Sequence, residues 1–156
     1  MARFEDAIKL TLIHEGGYVN NPAEDPGGET NMGITKRDHP NEDIKNMTVE
    51  RATEIYREGY WKKHYSEIDS QAIANKLFDL GVLFGVGKAV RMLQRTLEVT
   101  QDGIFGLNTL AAVNQADEDS LLADYKTNFI THTTNIAAYN PALRIFLRGW
   151  ANRINS

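Results

Sequence analysis

The side chains best suited to chemistry in this chain are carboxyl groups near the N-terminus. The first is Glu15, and a glycine-rich segment after it carries Glu24, Asp25 and Glu29, with Thr30 beside them. Cleavage of a glycosidic bond requires an acid that protonates the leaving oxygen. It also requires a second polar group that holds a water or stabilises the developing cation. A glutamic acid packed against apolar side chains can keep its proton near neutral pH. The pattern therefore fits glycosidase chemistry, whereas composition alone favours a solvated surface charge at Glu15, because most glutamates lie at the surface.

Other catalytic chemistries lack their residues. The chain has no cysteine, which excludes disulfides, thiolate nucleophiles and cysteine-ligated metals. His14-Glu15 begins like a zinc-protease signature, but Tyr18 stands where the second histidine is needed. Gly85-Val86-Gly87-Lys88 ends like a phosphate-binding loop, but Val82 replaces that loop's first glycine. No Gly-x-Ser-x-Gly nucleophile motif occurs. We therefore expect no metal and no cofactor.

The elements that must position Glu15 are a helix and a loop. The first apolar helical pattern stops at Gly16-Gly17, which predicts a left-handed glycine end and places Glu15 at the last turn or just after it. From there to about Pro40 the chain is rich in Gly, Pro, Asn and Asp and shows no sustained period. This composition predicts a loop or a short irregular hairpin within residues 18–35, and long loops in compact domains are often functional.

The rest of the chain predicts helices. Candidate N-caps are Thr48, Asn108 or Thr109, Asp117 or Asp119, and Asn140 followed by Pro141. Apolar residues recur at helical spacing after each of them, and in two further stretches at 73–80 and 86–97. A turn is expected over 101–106. The predicted class is mainly α.

Bulk composition limits the function classes. The 156 residues carry a net charge of -4, with 42% apolar and 24% charged residues, which is typical of a globular chain. A nucleic-acid binder should instead show a basic footprint. No run of about 18 apolar residues occurs, so no membrane span is expected. Because Met1–Asp6 turns acidic at once and no signal-peptide pattern follows, we expect synthesis in the cytoplasm.

Two segments carry a resemblance to a known family. Glu15-Gly16-Gly17-Tyr18 and the segment Asp25–Thr35, DPGGETNMGIT, closely resemble the signature of glycoside hydrolase family 108. Its members are peptidoglycan muramidases, often phage or prophage endolysins and sometimes labelled secretion activators. Further matches follow in chain order: Tyr56, Tyr60-Trp61, Phe78-Asp79, Gln94 with Asp102-Gly103-Ile104-Phe105-Gly106 and Thr109, and Gly149-Trp150-Ala151-Asn152-Arg153. One departure is Leu83, where the family commonly has an asparagine shortly before a glycine. That asparagine either lines the glycan cleft or occupies a packing position.

The resemblance implies a lysozyme-like helical fold with a Gly-rich active-site loop or short hairpin. Residues 1–88 are expected to form the catalytic muramidase region and residues 89–156 a helical peptidoglycan-binding region, packed as one globule. The implied reaction is hydrolysis of the β-1,4 bond between N-acetylmuramic acid and N-acetylglucosamine. The alternatives are a lytic transglycosylase acting on the same bond and a non-catalytic wall-binding export or secretion factor.

The implied partners are the glycan strands of peptidoglycan. A holin or an export system is expected to give the protein access to the cell wall or periplasm after its synthesis.

The resemblance also implies site residues. Glu15 is the general acid, Asp25 a base or electrostatic stabiliser, and Thr30 the residue that positions a water, in the order also found in phage lysozymes. That assignment implies inversion at the anomeric carbon. The sequence itself leaves inversion and retention open, because it does not supply the separation of the two carboxyl groups that distinguishes them. For Asp25 the alternative is a turn residue before Pro26-Gly27, where aspartate is common. His14 has no support from the family motif and is expected only to be a neighbour that tunes Glu15.

Substrate contacts are expected from Tyr18, Gly28, Tyr60 and Trp61. Tyr18 either stacks on a sugar or belongs to the core, and Gly28 lets the backbone approach the glycan. At least one of Tyr60 and Trp61 is expected to be structural, and Trp150 is expected in the core.

Overall fold

The structure, a computed structural model, describes residues 1–20 and 28–156. The predictions for Glu24, Asp25 and the Pro26-Gly27 turn lie outside these residues. The helices are α1 (Phe4–His14), α2 (Val49–Tyr60), α3 (Gln71–Phe84), α4 (Val86–Thr96), α5 (Leu107–Gln115), α6 (Glu118–Tyr139) and α7 (Leu147–Asn155). Two 3₁₀ helices cover Tyr65–Glu67 and Pro141–Phe146. The strands are β1 (Val19–Asn20), β2 (Glu29–Asn31) and β3 (Ile34–Thr35). The predicted mainly α class is confirmed.

Helix α1 ends just before Glu15, but not in the predicted way. Glu15 is the C-cap residue, with extended backbone at φ -85° and ψ 139°, and its N–H donates to the carbonyl of Thr11. Neither Gly16 nor Gly17 has a positive φ, so the prediction of a left-handed glycine end was wrong. The chain leaves the helix in extended form because the Gly16 carbonyl accepts a hydrogen bond from the N–H of Met32 at 2.9 Å. This bond fastens the end of α1 to the sheet.

The three strands form an antiparallel sheet in the order β1-β2-β3. Thr30 is central, since it pairs with Val19 on one side and with Thr35 on the other. The β2–β3 connection is the two-residue turn Met32-Gly33, with φ of 49° and 78°. Positive φ at both positions is the turn geometry that matches the twist of a hairpin.

Helix α3 lies between two apolar clusters. Phe78 belongs to the cluster formed with α1, α2 and β3, and Leu77 belongs to the cluster formed with α4 and α6. Trp61 packs against both clusters. Because α3 is covered on both sides, even its polar residues Lys76 and Asp79 are buried.

Side-chain caps begin α2 and α6 as predicted. Thr48 accepts from the N–H of Arg51, and Asp117 accepts from the N–H of Ser120. Helix α5 begins at Leu107 after the N-cap Gly106, slightly earlier than predicted. None of the helices formed by residues 1–20 and 28–156 is long and apolar enough to cross a bilayer.

The C-terminal helix begins later than its pattern predicted. Asn140 makes no side-chain cap, and Pro141–Phe146 forms a 3₁₀ helix before α7 starts at Leu147. The spacing of Leu143 and Phe146 suits a 3₁₀ helix, in which residues three apart share a face. Trp150 is half-buried and Ile154 is buried, so the final turn of α7 is the part that enters the core.

The cap of α2 gives a test of the fold. We expect Thr48→Ala to lower the free energy of unfolding by about 1 kcal/mol, because the Arg51 N–H loses its acceptor. For a chain of this length that corresponds to a fall of about 2–4 °C in Tm, measured by thermal unfolding. Thr48→Ser keeps the hydroxyl and should retain the wild-type Tm. Equal losses in the two variants would contradict the capping assignment.

Candidate active site

Glu15 lies where α1, the β2–β3 turn and α7 meet. Its side chain is 15% exposed. Its Oε1 accepts a hydrogen bond from Nη2 of Arg153 at 2.8 Å. Its Oε2 lies beside Gly33, because a Cβ at that position would collide with the carboxylate and with the hydroxyl of Tyr56. The carboxyl group is therefore oriented from two sides and remains partly open to solvent.

The β2–β3 turn is held against Glu15 by two hydrogen bonds to Met32. Its N–H donates to the Gly16 carbonyl at 2.9 Å, and its carbonyl accepts from the Tyr56 hydroxyl at 2.6 Å. Gly33 follows in the left-handed region that favours glycine. A side chain at this position would be strained and would also displace the carboxylate.

Arg153 connects Glu15 to a second carboxylate, Asp79. Nε and Nη2 of Arg153 donate to the two oxygens of Asp79 at 3.1 and 3.0 Å. The Thr11 hydroxyl donates to Asp79 at 2.9 Å. The side chains of Arg153 and Asp79 are 11% and 6% exposed. Burial by itself lowers the pKa of Arg153, but its hydrogen bonds and charge contacts with Asp79 and Glu15 outweigh burial and raise it, so Arg153 stays a cation.

Two tyrosines of α2 border the carboxyl group. Burial raises the pKa of Tyr56 and of Tyr60, and the charge of Glu15 contributes in both cases. Their rings lie 5.6 Å apart. Both phenols are therefore neutral at physiological pH, and Tyr60, which is half-buried, can offer its hydroxyl to a ligand beside Glu15.

Three of the other predicted residues lie in the sheet or directly before one of its strands. Thr30 is half-buried on β2, two residues before Met32. The exposed Tyr18 donates its hydroxyl to Glu29 at 2.8 Å, and this bond raises the pKa of Tyr18. Tyr18 is thus on the surface of the hairpin and not in the core. Gly28 precedes β2 with φ 79°.

Trp61 is the structural member of the Tyr60-Trp61 pair. Its ring makes edge contacts with Phe4, Phe78 and Tyr65 at 5.5–5.8 Å. Its Nε1 donates to Ser66 at 3.0 Å. These contacts give Trp61 a structural role, but its side chain is half-buried, so its expected contact with the substrate stays a prediction.

A groove of about 300 Å³ lies beside Arg153 on the α7 side of Glu15. It is lined by His14, Leu83, Gly149, Trp150, Asn152 and Arg153. Trp150 stacks on Phe146 and contacts Phe84, yet it is half-buried and opens onto this groove, so its expected place in the core is only partly correct. Leu83 lines the same groove, so the position of the departure from the family faces the site.

The C-terminal motif around Asp102 is a structural turn. The buried Gln94 donates to Asp102 and Thr109 at 2.8 and 3.1 Å and accepts from the N–H of Gly103 at 2.9 Å. These bonds join α4 to the turn before α5 and to α5 itself, which gives the motif a structural role.

Sequence reasoning assigned no role to Asp79, Arg153 or Tyr56. Each stands in a segment that carried the family resemblance, and that resemblance was the available signal.

Across residues 1–20 and 28–156, no three His, Asp or Glu side chains are grouped as a metal site would require.

Comparison with known proteins places this site in a family. Residues 8–85 match the family model described as glycosyl hydrolase 108. The chain belongs to the glycosyl hydrolase 108 family. In this family 108 protein, residues 88–155 match a second model, described as a predicted peptidoglycan domain. The enzyme is therefore a glycoside hydrolase with peptidoglycan as its substrate. Glu15 lies in the first matched region and Arg153 in the second.

A solved structure supports the family 108 fold over nearly the whole chain. SagA from Brucella abortus is 32% identical, with a TM-score of 0.81 over 97% of this chain and 89% of that one. No curated protein sequence matches significantly.

The contact between Gly33 and Glu15 gives a test of the site. We expect Gly33→Ala to lower hydrolysis of peptidoglycan by about a hundredfold, because the methyl group displaces the carboxylate. The positive φ should also cost about 1–2 kcal/mol of unfolding free energy, measured by denaturant titration. The control is Gly59→Ala, at a helical position with open space around its Cα, which should keep full activity. Full activity in Gly33→Ala would show that the turn does not position Glu15.

Proposed function

We propose that this family 108 enzyme hydrolyses the β-1,4 bond between N-acetylmuramic acid and N-acetylglucosamine, with Glu15 as the general acid. The observation that carries the proposal is the fixed geometry of the Glu15 carboxyl group between Gly33 and Arg153. An acid must be held in one orientation to protonate a leaving oxygen efficiently. The contacts with Gly33 and Arg153 meet that requirement, and the partial exposure of the carboxyl group leaves it open to a substrate.

The surroundings of Glu15 favour a polymeric sugar as ligand. On one side the turn offers glycine backbone, which a sugar ring can approach without obstruction by side chains. On the other side lies the groove bordered by Trp150. Aromatic rings with a polar edge suit sugars, and we propose that Tyr18, Tyr60 and Trp150 contact the glycan, with Gly28 giving it backbone access.

A water completes the proposed reaction. We propose that Thr30 positions this water and that Asp25 acts as base or electrostatic stabiliser. The central place of Thr30 on β2, close to the turn that contacts Glu15, supports its role. The role of Asp25 rests on the sequence. In this arrangement the water attacks the face of the sugar opposite to the acid, so the anomeric configuration inverts.

Peptidoglycan lies outside the cytoplasmic membrane. We therefore propose that the enzyme reaches its substrate after release or export, through a holin or a dedicated export system.

Loss of the acid is the primary test. We expect Glu15→Gln to reduce hydrolysis of purified peptidoglycan by about 10²- to 10⁴-fold, because an amide cannot donate the proton that general acid catalysis needs. Turbidity loss and a zymogram both measure this. The matched control is Glu58→Gln, an exposed glutamate of α2, which should remain active. Wild-type lysis by Glu15→Gln would favour the non-catalytic wall-binding alternative.

The products test the reaction type. We expect mass spectrometry of digested wall to show reducing N-acetylmuramic acid ends, because water is the attacking group. A 1,6-anhydro product would instead identify a lytic transglycosylase. The earliest product should be the α-anomer by NMR, and Thr30→Val should slow its formation. A β-anomer would overturn the water-positioning role of Thr30 and Asp25.

A further inference from the structure

The last turn of α7 is fastened to α3 by two buried side chains. Lys76 donates from Nζ to the main-chain oxygens of Arg153 and Ser156 at 3.0 and 2.9 Å. Asp79 binds the guanidinium of Arg153 through both of its oxygens. Lys76 and Asp79 are three residues apart and thus lie on one face of α3. One of them holds the backbone of Arg153 and the other holds its side chain.

This network serves geometry more than stability. Removing charged groups from water costs free energy that a buried ion pair often does not recover, and apolar side chains of similar size commonly replace such pairs without loss. A buried polar network in which each group has a partner does impose a single arrangement. Burial lowers the pKa of Lys76 to about 8. A neutral amine still has two N–H groups to donate, so both bonds to main-chain oxygens can persist when the charge is lost.

The guanidinium transmits this fixed arrangement to Glu15. Nη2 of Arg153 is shared between Asp79 Oδ1 at 3.0 Å and Glu15 Oε1 at 2.8 Å. Asp79 is itself held from α1 by Thr11. Because the planar fork has a rigid shape, two bonds to Asp79 set the direction of the bond to Glu15. The other oxygen of Glu15 is thereby left at Gly33.

We infer that Arg153 is a positioning residue for the general acid, held in place by Asp79 and Lys76. The region matched by the peptidoglycan model therefore completes the active site, in addition to any part it has in binding the wall. The inference rests on the proposed role of Glu15. Asp79 and Lys76 act through Arg153 and not on the substrate.

If Arg153 only held α7 against α3, its loss would affect stability and not kcat. Molecules that remain folded would then keep the wild-type kcat. If Arg153 orients Glu15, its loss lowers kcat at the same substrate affinity, because the interaction matters for the reacting geometry.

The experiment compares Arg153→Met, Asp79→Asn and the double variant on soluble, peptide-free glycan strands. We expect Arg153→Met to lower kcat by about 10- to 100-fold, since small misplacements of a catalytic group have effects of this size. The KM should stay within about threefold of wild type. The matched control is Arg144→Met, an exposed arginine of the preceding 3₁₀ helix, which should keep the wild-type kcat.

The double variant separates a loss of activity from a failure to fold. Arg153→Met alone leaves the buried Asp79 without its cation, which destabilises the fold. Arg153→Met/Asp79→Asn removes that uncompensated charge, and thermal unfolding checks that it is folded. If Asp79 acts through Arg153, the double variant should lose no more kcat than Arg153→Met.

The two proposals fail in distinguishable ways. A folded double variant with wild-type kcat, beside an inactive Glu15→Gln, overturns the positioning role and leaves the general acid in place. An active Glu15→Gln overturns the proposed function, and the positioning role falls with it. Arg153→Lys should recover only part of the lost kcat, because one ammonium cannot reproduce the planar fork. Full recovery by lysine would contradict the orienting role of the guanidinium.

Discussion

The guanidinium of Arg153 binds two carboxylates that come from different helices, Glu15 at the end of α1 and Asp79 in the middle of α3. All three side chains are largely shielded from water, so each polar group needs a hydrogen-bonding partner. That requirement determines where α7 can lie. Lys76 adds the same constraint on the backbone, since it binds main-chain oxygens at the end of α7. The position of the C-terminal helix and the orientation of the candidate acid are therefore consequences of one network.

A second constraint acts from the sheet. Met32 is bound by the Gly16 carbonyl and by the hydroxyl of Tyr56, and this brings the backbone of Gly33 against the carboxyl group. Among residues 1–20 and 28–156, the strands of the sheet have only seven residues, which is too few for stability by pairing alone. Its position depends on α1 and α2, which pack against Ile34 in the same apolar cluster. Sheet and helices together leave the carboxyl group oriented and partly exposed.

The chain matches two family models that divide it near the α3–α4 junction, yet the site contains residues from both matched regions. The glycosyl hydrolase 108 match contains Glu15 and Asp79, whereas the predicted peptidoglycan domain contains Arg153 and Trp150. Helix α3 contributes residues to both apolar clusters. The two matched regions thus share a core and a site, as expected where folding of one part depends on burial against the other.

The sequence by itself determined the mainly α class, the helix that ends at Glu15 and the caps at Thr48 and Asp117, because periodicity and capping are local properties. It also carried the family motifs, and with them Glu15. It did not determine how α1 ends, since the hydrogen bond from Met32 to Gly16 joins distant segments. It also did not determine where α7 begins, since the same apolar spacing fits a 3₁₀ helix and an α-helix. The partnership of Glu15 with Arg153 spans 138 positions of the chain. Only tertiary packing could decide it, because the cost of burying a charge depends on which partner the fold brings within reach.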